Sequence, residues 1–88
     1  MKLEVGQFFK INGKEYGLLD IIDFENVQYY LFSIKSNGKL DYKFYTIDYY
    51  DNEKFELNTI KDEELKMKLL EIAESRIDLE EVLYSSEN

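Results

Sequence analysis

Residues 10–50 read KINGKEYGLLDIIDFENVQYYLFSIKSNGKLDYKFYTIDYY, and the division of this stretch into strands decides the fold. Asn12-Gly13 lies between two apolar runs, and so does Asn37-Gly38. Asn-Gly accepts the positive φ that both central residues of a type I′ turn require, so each pair predicts a tight hairpin. The first turn joins an expected strand over residues 5–11 to one over 14–23. The second joins 27–35 to 40–50, and Phe24-Glu25-Asn26 is the connection between the hairpins. Asp51-Asn52-Glu53 turns the chain into a short fifth strand over 54–58, where Phe55 and Leu57 share one face and Glu56 takes the other. These links are too short for parallel crossovers, which need about a dozen residues. The prediction is an α+β fold, a four- to five-stranded antiparallel meander with a C-terminal helix packed on one face. No proline interrupts any strand. The adjacent pairs Leu18-Leu19 and Ile21-Ile22 break the alternation of the second strand, which implies apolar residues on both faces or a bulge near Asp20.

Beyond residue 59 the period changes. Leu65, Leu69, Ile72, Ala73 and Arg76 recur at three- and four-residue spacing, and Leu70 and Ile77 widen the stripe. A helix is expected over 60–77. Thr59 and Asp62 approximate a capping box, and Asp62, Glu63 and Glu64 suit the positive helix end. Glu64 and Lys68 are spaced as an i,i+4 ion pair. Asp78 suits the cap of a second short helix over 79–84, ahead of a polar tail. Residues 1–88 are read as one domain.

Composition narrows the function classes. The chain has 88 residues, no cysteine and no histidine. Disulfides, the usual zinc sites and a thiol nucleophile are therefore excluded. Aromatic residues make up 16%, enough to build a core unaided, since each buried ring removes about 150–250 Å² from water. The start, MKLEVGQFF, turns charged and polar before any apolar stretch of useful length, so no secretory signal is expected. No apolar run approaches the roughly 20 residues of a membrane span. A cytoplasmic location is the plain expectation.

Net charge is −8, unevenly spread: residues 51–88 carry 12 acidic against 5 basic side chains, and residues 1–50 carry 7 against 6. Such a field repels nucleic-acid backbones, whose binders cluster Lys and Arg. It favours a basic protein partner, or simply keeps the chain soluble. Catalysis at neutral pH needs a poised acid or base. Asp20, between Leu19 and Ile21, is the most interesting acid, and it is expected to mark an edge or bulge and face water. The acidic run from Asp51 to Glu64 contains no glycine, which a calcium loop needs for its sharp turn. Gly6, Gly13, Gly17 and Gly38 make no phosphate-cradling loop, and Ser33, Ser75, Ser85 and Ser86 have no evident base. No enzyme, metal or cofactor is expected.

The predicted sheet has more apolar surface than one helix covers. Val27, Tyr29 and Leu31 face one way on the third strand, and Tyr30, Phe32 and Ile34 the other. On the fourth, Tyr42 and Phe44 oppose Tyr45, Ile47 and Tyr49. The surplus aromatics either sit half-buried on an ordinary sheet or form an interaction face. Stacking of single-stranded nucleic acid on them would need a basic rim, which Lys10, Lys14, Lys35, Lys39 and Lys43 supply only sparsely.

Asn12-Gly13-Lys14-Glu15-Tyr16, Tyr29-Tyr30-Leu31-Phe32, Phe55-Glu56-Leu57 and the acidic helix start at Ile60-Lys61-Asp62-Glu63-Glu64 follow one another over residues 8–75. In this layout the chain resembles the small acidic proteins of low-GC Gram-positive bacteria grouped as domain of unknown function 1292. It departs from them in having fewer consecutive acidic residues in strands and loops and far more tyrosine. The resemblance implies a bacterial cytoplasmic non-enzyme and brings no ligand or catalytic residue with it.

The leading expectation is a protein-binding or adaptor domain that uses a Tyr-rich sheet face and an acidic helix, with Tyr30, Phe32, Tyr45, Tyr49, Glu63 and Glu71 as candidate contacts. The alternative is a small acidic inhibitor, of the phage anti-defence or toxin-neutralising type, that masks a basic nucleic-acid-binding surface. The partner is then a protein or a second copy of the chain, with no direct nucleic acid and no membrane.

Overall fold

Three two-residue turns set the sheet. In the computed structural model, which describes residues 3–51 and 54–76, Asn12 and Gly13 have φ of 50° and 80°, and Asn37 and Gly38 have 52° and 76°. Both pairs have the positive φ of type I′, as their sequences require. Glu25 and Asn26 form a third such turn, with φ of 50° and 65°, although it contains no glycine. The strands are β1 (Phe8–Ile11), β2 (Lys14–Phe24), β3 (Val27–Ser36), β4 (Lys39–Tyr49) and β5 (Phe55–Thr59), followed by the helix α1 (Glu63–Arg76). They form one antiparallel meander in the order β1-β2-β3-β4-β5. The predicted bulge is present: the β2–β3 register shifts between Leu18 and Asp20. Leu18 consequently faces one side of the sheet with Phe32, while Asp20 and Ile22 face the other with Leu31 and Tyr29.

The helix covers the second of these faces. Leu69 and Ala73 are fully buried, and with Leu65, Leu70 and Ile72 they pack on Ile22, Tyr29, Leu31, Phe44 and Ile60. Burying one such leucine stabilises the fold by roughly 1.5–3 kcal/mol relative to leaving it exposed. The helix begins three residues later than the spacing suggests. Asp62 is its cap: Oδ1 accepts from the Glu64 and Leu65 amides at 3.0 and 3.3 Å. Thr59 instead ends β5, so the capping box is not formed by that residue. The ion pair observed on the helix joins Glu63 to Lys66 at 3.3 Å. The expected second helix over 79–84 lies outside the described residues.

Asp20 is a correction to the expectation that it faces water. It is 6% exposed, and its Oδ1 accepts from the Ile21 amide at 2.9 Å and from Arg76 Nη2 at 3.1 Å. The bulge turns its carboxylate to the helix side, where the guanidinium at the helix end offsets part of the cost of burying the charge, Oδ2 having no hydrogen-bond partner among the described residues.

The aromatic face is closed by curvature. Phe9 of β1 stacks on Tyr16, and its ring meets Phe32 of β3 and Phe55 of β5, each edge-on with centroids 5.5 Å apart. First and last strands can touch in this way only if the sheet curls with this face inward, the direction in which twisted sheets close towards barrels. Residues 4–7 form a tight turn before β1, with Gly6 at φ 97° and its amide bonded to the Leu18 carbonyl at 2.9 Å. This shortens β1 from the expected 5–11 and carries Leu3 into the aromatic core, where it is 5% exposed. No helix among the described residues is long and apolar enough to cross a membrane.

Candidate functional site

Of the candidate contact residues named from sequence, Tyr30, Phe32, Tyr45 and Tyr49 share the concave face, and Glu63 and Glu71 lie apart from them on the helix. Tyr30, Phe32 and Tyr45 are 6%, 0% and 6% exposed and fill the concave core with Leu3 and Leu18. The face expected to lie open is therefore occupied by its own side chains, because curvature brings β1 and β5 over it. Phe32 is the hub, with Phe9, Tyr16 and Tyr45 all edge-on to it. The Tyr30 hydroxyl donates to Gln28 Oε1 at 2.7 Å. Burial, helped by a hydrogen bond with Tyr49, pushes the Tyr30 phenol up to about 12. Burial and the neighbouring Tyr16 raise Tyr45 to about 12 as well. Both phenols stay neutral across any physiological pH. Tyr49 is 45% exposed at the rim, beside Phe55. Glu63 and Glu71 are exposed on the helix, in the other layer.

What curvature hides on one face it opens at the seam. A groove of about 820 Å³ runs between β1 and β5, within the usual size of ligand clefts. Phe9 and Phe55 form its inner wall, and Phe8 and Tyr50 stand at its outer lips, 67% and 64% exposed. Val5, 59% exposed, lies in the tight turn that leads into β1. Large apolar side chains exposed together in this way mark interaction sites more often than singly exposed ones do.

Local sequence holds the lips in place. The Phe8 ring lies against Gly17, where a Cβ would come within 2.6 Å of it, so glycine at this position lets the ring approach the β2 backbone. Tyr50 donates its hydroxyl to Glu56 Oε2, and that bond raises the Tyr50 pKa above its ordinary value. Lys10 and Lys54 also line the groove. Neither has a carboxylate within ion-pair distance among the described residues, and Glu56, the acid among the described lining residues, is engaged by Tyr50.

Sequence reasoning missed Phe8, Lys10, Tyr50, Lys54 and Phe55 as a group. The available signal was topological: in a curled meander, the first and last strands become neighbours. A second, smaller cleft of about 250 Å³ lies between β4 and the helix, lined by Tyr42, Phe44, Ile60 and Leu70 with Lys43 and Lys66. No cluster of three or more acidic side chains suited to a metal ion occurs among the described residues. Comparison of the chain with protein-family models, with curated proteins and with solved structures returns no match.

Proposed function

We propose that this chain is a non-enzymatic protein-binding domain, acting in the bacterial cytoplasm, that receives its partner in the groove between β1 and β5. The observation that carries this reading is the exposure of Phe8 and Tyr50 on the lips of an 820 Å³ groove in a protein whose other aromatics are mostly packed away. Tyr and Phe supply contact area with few rotamers to immobilise, which suits a binding anchor. Tyr49, half-exposed, packs beside Phe55 of the groove wall. Tyr30, Phe32 and Tyr45 support it from inside as core.

A second reading rests on the helix, where Glu63, Glu64, Glu71 and Glu74 are all exposed. In that reading the chain is an acidic inhibitor that masks a basic, nucleic-acid-binding surface. A pull-down from the source cytoplasm with the 88-residue chain separates the two. The groove reading expects a protein retained at about 0.5 M salt, where charge contacts are screened beyond a few ångströms, and lost with Phe8→Ser/Tyr50→Ser. A partner released by salt, indifferent to that double variant and lost with Glu63→Lys/Glu71→Lys, would establish the inhibitor instead. Recovery of only the chain itself would refute both.

A further inference from the structure

The edges of the groove carry more information than its apolar walls. The sheet has five antiparallel strands in sequence order, so β1 and β5 run in the same direction. A strand laid in the groove and running opposite to both would be antiparallel to each edge. Hydrogen-bond phase shows which groups point away from the neighbouring strand. The two-residue turn makes Ile11 and Lys14 a bonded pair, so Phe9 and Ile11 point their amides at β2, and Phe8 and Lys10 point theirs into the groove. On β5 the Tyr50 amide donates to the Lys54 carbonyl at 3.0 Å. By the same alternation, Phe55 and Leu57 direct their amides away from β4.

Side chains alternate as well. Phe9 and Phe55 point into the core, while Phe8, Lys10, Tyr50 and Lys54 belong to the outward set. A strand laid between the edges would therefore place every second side chain on Phe9 and Phe55. The intervening ones would emerge beside Lys10 and Lys54.

We propose, building on the reading of this groove as a partner site, that its occupant is an extended partner segment with alternating apolar and acidic residues, which pairs antiparallel with both β1 and β5 as a sixth strand. Backbone pairing supplies affinity, as in other strand-addition complexes, and the two lysines select carboxylates on the outward side. The same insertion would pair the outer edges of β1 and β5, and edges left unpaired template unwanted association. A second copy of the chain fits less well, because each brings a net charge of −8 and like charges oppose association.

The test uses a phage-displayed library of random dodecapeptides panned on the full 88-residue chain, with amide exchange measured before and after adding a selected peptide. Enriched sequences should alternate apolar and acidic residues. The synthetic peptide should slow exchange at Phe8, Lys10, Phe55 and Leu57 by about tenfold or more. Lys10→Glu/Lys54→Glu should weaken it by at least about tenfold with the urea midpoint unchanged. Enrichment of basic peptides, or of apolar residues at three- and four-residue spacing, would overturn the strand proposal and leave the protein-binding reading standing. No enrichment would overturn both. Edge amides already protected in the free chain would also overturn the proposal, since the groove would then be filled from within.

Discussion

Truncating Phe32 to alanine tests the closed aromatic core most directly. The ring is fully buried and meets Phe9 at 5.5 Å, Tyr16 at 6.1 Å and Tyr45 at 5.8 Å, with interplanar angles of 75°, 82° and 69°. Phe→Ala at such a site costs about 3–5 kcal/mol, from lost transfer energy and the cavity left behind. A chain of 88 residues is expected to have roughly 4–13 kcal/mol in total, so this one change would consume a large share of it. Phe32→Leu isolates the ring contacts: apolar volume is largely kept, and three edge-on pairs, each worth about 0.5–1.5 kcal/mol, are lost. The ordering expected is wild type, then Leu, then Ala, with Leu nearer the middle. Urea unfolding followed by far-UV circular dichroism gives each midpoint and slope, and an unchanged slope licenses reading the midpoint as stability. A Phe32→Ala cost below about 1 kcal/mol, the level of surface substitutions, would refute the closed core and restore the open aromatic face.

Leu69→Ala should destabilise by about 2–5 kcal/mol in the same assay, because Leu69 is the larger of the two fully buried side chains of the helix, with Ala73. Arg76→Ala should cost about 1–3 kcal/mol by stranding the Asp20 carboxylate, with the half-exposed arginine keeping the figure below that of a fully buried pair. Asp20→Leu/Arg76→Met should recover most of that loss, and a double variant no better than the single would argue against it. Tyr30 and Tyr45, raised to about 12, should hold their protons well past pH 10 in an ultraviolet titration. The unfolded chain releases those protons near 10 and the folded one holds them, so their contribution is complete below pH 10 and is lost as pH rises towards 12. Release of the Tyr30 and Tyr45 protons near pH 10 in the folded protein would contradict this.

The strand order and two of the three turns were legible because Asn12-Gly13 and Asn37-Gly38 are local signals, each complete within two residues. The Glu25-Asn26 turn was not, since glutamate gives no hint of positive φ, and the tight ladders on either side impose it. The bulge near Asp20 could be read from broken alternation. Which way the bulge turned the carboxylate could not, because that depends on Arg76, far along the chain. The same holds for the candidate site. Alternation puts Tyr30 and Phe32 on one face of the third strand, yet the burial of Tyr30, Phe32 and Tyr45 depends on curl accumulated over five strands. No window of sequence contains that quantity, and the seam lined by Phe8 and Tyr50 follows from the meeting of Phe9 with Phe55.

A meander joined by three two-residue turns also constrains how the chain acquires its shape. Every strand pairs with its immediate neighbour in sequence, so most contacts are local, and β proteins of low contact order fold faster than those with distant pairings. Each hairpin can form on the roughly 1–10 μs scale of isolated hairpins and await the next as synthesis proceeds. The exception is the meeting of Phe9 with Phe55, which needs both ends of the sheet. That contact should be absent from the rate-limiting state: weakening it should hasten unfolding while leaving the folding rate nearly untouched. The seam where a partner strand is proposed to enter would then be the last part of the protein to close and the first to open.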